Sequence, residues 1–146
     1  MSEFKNLLNK KLILSIPLSK DEDENSQLQQ WFCSIDIEGW KDVEIFIQGN
    51  MENPYEEFIE MAGKILDNLQ QHLNRALKYL KEFFPTQEID DYDLSTISFG
   101  KMANFDEYLL RGFAIAFIYE DYSYEFQYKV KFKEDGWPIG FEGGPL

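Results

Sequence analysis

Hydrophobic and polar residues alternate along several stretches of the chain, with the period of a strand that buries one face. Between residues 31 and 47 apolar residues occupy every second position, apart from an interruption after Ile37 at Gly39 and Lys41, and the alternation resumes at Val43. This stretch predicts a hairpin that ends near Gly49. Upstream, the alternation over residues 11–18 predicts an edge strand, because Pro17 cannot donate a hydrogen bond to a ladder there.

A second pattern, with apolar residues spaced by three and four, predicts a long amphipathic helix. We expect it to begin at Asn53, as the N-cap, with Pro54 in the first turn, and to run to Phe84, where Pro85 stops it. The apolar seam consists of Ile59, Ala62, Leu66, Leu69, Leu73, Ala76, Leu80 and Phe83.

A helix over residues 54–84 is long for a domain of this size. At 1.5 Å per residue it would span ~45 Å, whereas a compact domain of this length has a radius of gyration of about 15 Å. We therefore expect the helix to bend near Gly63, to overhang the sheet, or to use its excess length in an oligomer.

Period-two alternation returns after the helix and predicts strands over residues 94–99, 108–119 and 122–133. Residues 137–141 are too apolar for a discarded tail, whereas residues 143–145 are expected to fray. The predicted order is strand, strand, strand, helix, strand, strand, strand. We therefore predict an α+β fold, an antiparallel sheet of about six strands with one long helix packed on one face.

Length and composition favour one folded domain over residues 1–146. The chain is 44% hydrophobic and 16% aromatic, which excludes a disordered protein, and no repeat or linker divides it. The acidic run at residues 21–24 predicts a mobile loop over 19–30. The formal charge of −13 repels nucleic acid backbones and anionic lipid, so neither is an expected partner.

The sequence contains no signal peptide pattern and no run near the ~20 apolar residues that span a bilayer, so we expect a soluble, cytoplasmic protein. Cys33 is the only cysteine, which excludes an internal disulfide. It is either a buried apolar residue or a reactive thiol.

Motifs for catalysis are missing from the sequence. His72 is the only histidine, and one histidine with one cysteine cannot build the common zinc centres. The acidic stretch at residues 90–93 lacks the glycine and closing glutamate of a calcium loop. There is no phosphate-binding loop and no hydrolase motif. We therefore expect no catalytic residue, no metal and no cofactor, and predict a protein that is not an enzyme.

Acidic residues are concentrated between residues 86 and 125, a range that contains nine of them and only two basic residues, Lys101 and Arg111. Such a surface speeds association with a basic protein, although the same charge can serve solubility alone. Trp40 near a hairpin tip is a typical contact anchor, or else packs against the sheet. The predicted partner-binding residues are Asp90, Asp91, Asp93, Glu120, Asp121 and Trp40.

Four features of the chain are typical of a known class of proteins. They are its size, its charge, the helix between sheet segments and the closing sequence Gly136-Trp137-Pro138-Ile139-Gly140-Phe141. The chain resembles small, acidic, single-domain bacterial proteins of uncharacterised function, a group that includes immunity proteins against polymorphic toxins. The resemblance implies an inhibitor that binds a basic toxin or nuclease. It carries no diagnostic motif and assigns no functional residue.

Two other functions are compatible with the pattern. The chain could be a homo-oligomeric structural or scaffolding module, with the long helix pairing with a second copy, as in a homodimer, through Gly63, Leu77 and Phe84. Alternatively, it could be an enzyme or small-ligand carrier with a pocket between helix and sheet. That pocket would be lined by Tyr124, Tyr128 and Phe113.

Overall fold

A computed structural model describes residues 3–14, 29–88, 91–103, 109–121 and 124–145. Within these ranges the chain forms a seven-stranded sheet and three helices, so the α+β class is confirmed. The elements are α1 (Glu3–Lys11), β1 (Ile13–Leu14), β2 (Gln29–Ile37), β3 (Trp40–Gly49), α2 (Glu56–Asp67), α3 (Leu69–Phe83), β4 (Tyr92–Ala103), β5 (Leu109–Asp121), β6 (Tyr124–Lys133) and β7 (Pro138–Pro145).

The sheet is mixed, and its strands lie side by side in chain order. Every neighbouring pair is antiparallel except β3 and β4, which are parallel, with Ile45 opposite Ile97. The prediction of an all-antiparallel sheet of about six strands is therefore wrong at its centre. Helices α2 and α3 carry the chain back across the sheet, so β4 begins at the same end as β3.

The β2–β3 hairpin was predicted correctly and ends at Gly49. Its turn is formed by Glu38 and Gly39, whose φ angles are 53° and 84°. Positive φ at both central residues is the geometry of a type I′ turn, which matches the twist of the flanking strands. Glycine adopts this conformation without strain, which explains the interruption of the alternation at Gly39.

The single predicted helix is two helices, which meet at Asn68. Asn68 has φ −123° and ψ 32°, outside the helical region, and its side-chain amide donates to the carbonyl oxygen of Lys64 at 3.2 Å. The break falls five residues after the expected bend at Gly63. Because α2 and α3 are only ~18 Å and ~22 Å long, each fits across the sheet without overhang.

The start of α2 also differs from the prediction. The residue before the helix is Tyr55, which makes no side-chain capping bond, and α2 begins at Glu56. Asn53 is not the cap, because it lies two residues before Tyr55; its backbone amide donates to the side-chain oxygen of Asn50 at 2.9 Å. Pro54 pairs with Gly49 in an isolated bridge, so a tight turn joins β3 to the helix.

Helix α1 was not predicted from the sequence. Leu8 is its buried residue, and Lys5 forms ion pairs with Glu56, at 3.1 Å, and with Glu60 of α2. These contacts dock α1 beside α2. Among the described residues, none of the helices is long and apolar enough to cross a membrane.

The two edges of the sheet, at β1 and at β7, differ from what the sequence predicted there. Ile13 and Leu14 form the short edge strand β1. Of the rest of the predicted strand over 11–18, Lys11 ends α1, Leu12 connects α1 to β1, and residues 15–18 lie outside the described residues. Most of the predicted acidic loop over 19–30 is also outside them, although Gln29 and Gln30 belong to β2. At the other edge, residues 143–145 pair with β6, so the expected fraying is wrong.

The core lies between the two long helices and one face of the sheet. Seven of the eight predicted seam residues are buried, and Phe83 is 50% exposed. From the strands, Phe113 and Phe132 stack with ring centroids 4.7 Å apart. Cys33 is buried in this core, which confirms its apolar role, and burial raises the pKa of its thiol.

We predict that Gly112→Ala lowers the free energy of unfolding by about 1–3 kcal/mol. A Cβ at this position of β5 would overlap the carbonyl oxygen of Phe132 in β6. Gly144→Ala in β7 is the matched control, because its Cβ would have no heavy atom within 4 Å. That variant is expected to stay within about 0.5 kcal/mol of the wild type.

Urea denaturation followed by circular dichroism measures both variants. Equal midpoints for the two variants would contradict the packing of β5 against β6 described above.

Candidate functional site

The described helices cover one face of the sheet, and none of them lies on the opposite face, here called the open face. Because β3 and β4 are parallel, both begin at one end of the sheet. Strands β2 and β5 finish at that same end, since each is antiparallel to its partner, and β6 starts there. Four described segments of the chain therefore meet at one end of the sheet: the β2–β3 hairpin, the start of β4, the end of β5 and the start of β6.

Exposed carboxylates from these segments form a surface that we call the acidic sheet end. Lys41 is the one basic residue within the corresponding ranges 36–44, 91–94, 118–121 and 124–126. The described carboxylates of the acidic sheet end are those of Asp36, Glu38, Asp42, Glu44, Asp91, Asp93, Glu120 and Glu125.

Two of these carboxylates oppose each other directly. Glu120 in β5 pairs with Glu125 in β6, and both side chains are exposed. Asp93 in β4 pairs with Ile118, so it is a diagonal neighbour of Glu120. Like charges directly opposite on adjacent strands destabilise a sheet. Among the described residues no ion pair with a cation involves Glu120, Glu125 or Asp93.

The structure brings together three of the predicted contact residues. Asp91 is exposed immediately before β4, and Asp93 and Glu120 follow on the adjacent strands β4 and β5. The backbone of Asp121 pairs with Tyr124 at the end of β5. Asp90 lies outside the described residues.

Trp40 is at the same end of the sheet but on the other face. Ile35 pairs with Val43 whereas Ile37 pairs with Trp40, so β3 contains one extra residue at a bulge, where Asp42 has a φ of 54°. The bulge turns Trp40 towards the helix-covered face, where it is half-buried against the core. It therefore does not share the open face with the carboxylates.

The most exposed tryptophan is Trp137, which the contact prediction missed. It is 65% exposed and borders an open groove of ≈ 660 Å³ between α3 and the start of β7, here called the α3–β7 groove. Its position after Gly136 in a turn, immediately before Pro138, was the available signal. The groove is also lined by Arg75, Lys78, Tyr79, Glu82 and Phe83.

Arg75 joins the two walls of the α3–β7 groove. Its guanidinium donates to the carbonyl oxygen of Gly136 at 2.6 Å and lies 5.8 Å from the centre of the Trp137 ring. Gly136 has a φ of 93°, and a Cβ there would come within 2.8 Å of the guanidinium. Glycine is therefore required at this turn for Arg75 to approach the backbone.

His72 lies in α3 beside Gly136 and is the buried polar residue of the described core. Its ring meets Phe113 edge-on with centroids 5.2 Å apart, and its Nδ1 atom has no hydrogen-bond partner among the described residues. Burial lowers the pKa of His72, and the positive charge of Arg75 lowers it further. The imidazole is therefore held in its neutral form, and its ring packs against Phe113.

We predict that His72 makes stability depend on pH below about 6.5. Because the folded pKa is lowered, the unfolded chain takes up a proton more readily as the pH falls through that value. The free energy of unfolding of the wild type should fall from pH 7 to pH 5 relative to that of His72→Leu, which cannot titrate.

Urea midpoints of both proteins at pH 7, 6 and 5 provide the test. His72 is the only histidine, so the difference between the two curves isolates its contribution. Parallel curves would show that His72 is not buried in its neutral form.

The ligand pocket expected between helix and sheet is not formed by its three predicted residues. Phe113 and Tyr128 are packed in the core, whereas Tyr124 is 69% exposed. The apolar flank expected to pair with a second copy is also occupied within the chain. Gly63 is buried, and the ring of Phe84 lies 4.9 Å from that of Tyr128.

Among the described residues, no group of three or more histidine, cysteine, aspartate or glutamate side chains is arranged to hold a metal ion. Comparison of the chain with protein-family models, curated proteins and solved structures found no match. The resemblance to immunity proteins therefore stays a prediction.

Proposed function

We propose that this chain is a non-enzymatic binding protein that docks a basic protein against the acidic sheet end. One observation carries the proposal. Carboxylates from four segments converge at one end of the sheet, and Glu120 directly opposes Glu125 with no cation from the described residues between them. A partner that supplies lysine or arginine side chains would relieve this repulsion on binding.

The electrostatic arrangement favours rapid association. A surface of one sign raises the rate at which an oppositely charged protein is captured, by 10-fold to 1,000-fold at low ionic strength. The exposed carboxylates remain hydrated until the partner arrives, so their contribution is expected mainly in the association rate. Salt should weaken it, because the Debye length is only ≈ 10 Å at 0.1 M.

The partner class follows from the resemblance and the charge together. Proteins that act on nucleic acids carry basic grooves for phosphate, and a set of carboxylates can occupy such a groove. We therefore propose a basic toxin or nuclease as the partner, with this chain as an immunity-type inhibitor. In this proposal, the acidic sheet end takes the place of the phosphates.

We predict that Asp91→Lys/Asp93→Lys reduces the association rate with such a partner at least about tenfold in low salt, with a smaller effect at 0.5 M salt. The matched control is Glu3→Lys/Glu52→Lys, which changes the net charge equally. Its two positions are exposed, on α1 and in the turn after β3, away from the acidic sheet end. The control should stay within about threefold of the wild type.

The probe is the purified product of the reading frame adjacent to this one, with binding measured by stopped-flow kinetics. Failure of that product to bind would overturn the toxin proposal. Binding that is equally sensitive to both double variants would overturn the assignment of the interface to the acidic sheet end.

A further inference from the structure

The α3–β7 groove has a charge opposite to that of the protein as a whole. Arg75, Lys78 and Lys81 follow one another at steps of three on α3, which places them along one side of that helix. Arg75 and Lys78 line the groove, and Lys81 lines the depression that adjoins it. Among the described residues, no carboxylate forms an ion pair with any of the three.

Four of the ten other described cations are compensated within the chain. Lys5, Arg111, Lys131 and Lys133 each form an ion pair with a nearby carboxylate. In a chain with 27 acidic residues, three cations on one helix without such a pair leave a local positive charge uncompensated. An anionic ligand can therefore bind there without displacing an ion pair among the described residues.

The groove also exposes apolar surface. Trp137 is 65% and Phe83 is 50% exposed, and both line the groove. The ring of Tyr79, centred 5.1 Å from that of Phe83, continues this wall. Exposed tryptophan next to arginine is the composition of energetically important contact sites between proteins.

From these observations we propose that the α3–β7 groove binds an acidic peptide segment of a partner protein. Carboxylates of the peptide would pair with Arg75, Lys78 and Lys81, and one aromatic or aliphatic side chain would pack between Trp137 and Phe83. The proposal is independent of the proposed function, because the groove lies between α3 and the start of β7 and not at the acidic sheet end, which β2 to β6 form.

Shape and charge favour a peptide over other anionic partners. A concave groove of ≈ 660 Å³ admits one or two side chains, whereas a bilayer surface would require a broad, flat or convex contact. A nucleic acid strand brings a continuous line of phosphates, whereas the described lining of the groove offers two cations, Arg75 and Lys78. Glu82 in the groove wall further limits how many anionic groups can enter.

The experiment selects binders from a displayed library of random dodecapeptides with the full-length protein as bait. We expect the selected peptides to be enriched in aspartate and glutamate around one aromatic or aliphatic residue. A fluorescein-labelled copy of the most frequent peptide is then titrated by fluorescence polarisation against wild-type protein, Lys78→Glu, Trp137→Ala and the control Lys10→Glu.

Lys78→Glu and Trp137→Ala should each weaken binding at least tenfold, and Lys10→Glu should stay within threefold. Lys78, Trp137 and Lys10 are all exposed, so none of the variants removes core packing. The groove proposal is overturned if the library yields no binder, if the selected peptides are basic, or if affinity is unchanged in Lys78→Glu.

Three parallel measurements separate the other occupants. If a thymidine dodecanucleotide or vesicles containing phosphatidylserine bind in a manner that depends on Lys78 and Trp137 while acidic peptides do not, the partner class is wrong. If sedimentation shows a dimer that Trp137→Ala dissociates, a second copy of the chain covers the groove and the proposal is equally overturned.

Discussion

The parallel pairing of β3 with β4 is the constraint on which both surfaces of the molecule depend. It requires the chain to cross the sheet between these strands, and α2 and α3 make that crossing over the apolar face. Had β4 paired antiparallel with β3, it would have begun beside Gly49. Asp93 would then lie at the opposite end of the sheet from Glu44, and the carboxylates would not converge.

The break at Asn68 is what allows the crossing to fit the sheet. Two helices can each follow a different part of the twisted sheet, whereas one straight rod cannot. Helix α3 thereby reaches the last strand, where Phe83 lies 4.6 Å from Phe141, ring to ring. The α3–β7 groove exists because α3 approaches β7 but does not cover Trp137, the residue immediately before β7.

Local patterns predicted the hairpin, the helical seam and most of β5 and β6, because period two and period 3.6 are set within a few residues. The parallel pairing and α1 were missed because they depend on distant contacts, such as that of Lys5 with Glu60. At the acidic sheet end, the concentration of acidic residues in the sequence identified Asp93 and Glu120. Only the register of β4 with β5 shows that the two residues share a face. The bulge at Asp42, which turned Trp40 inward, shows in the sequence only as a break in the alternation between Ile37 and Val43.

A net charge of −13 does not describe what either surface presents to a partner. Beyond about one Debye length the two sets of charges are largely screened from each other at physiological ionic strength. A basic protein near β4 and β5 therefore meets carboxylates, whereas a ligand near α3 meets Arg75 and Lys78. Because the acidic sheet end attracts a partner through exposed charges alone, salt should weaken binding there more than it weakens binding in the α3–β7 groove. In the groove, Trp137 and Phe83 add apolar contact, which salt does not screen.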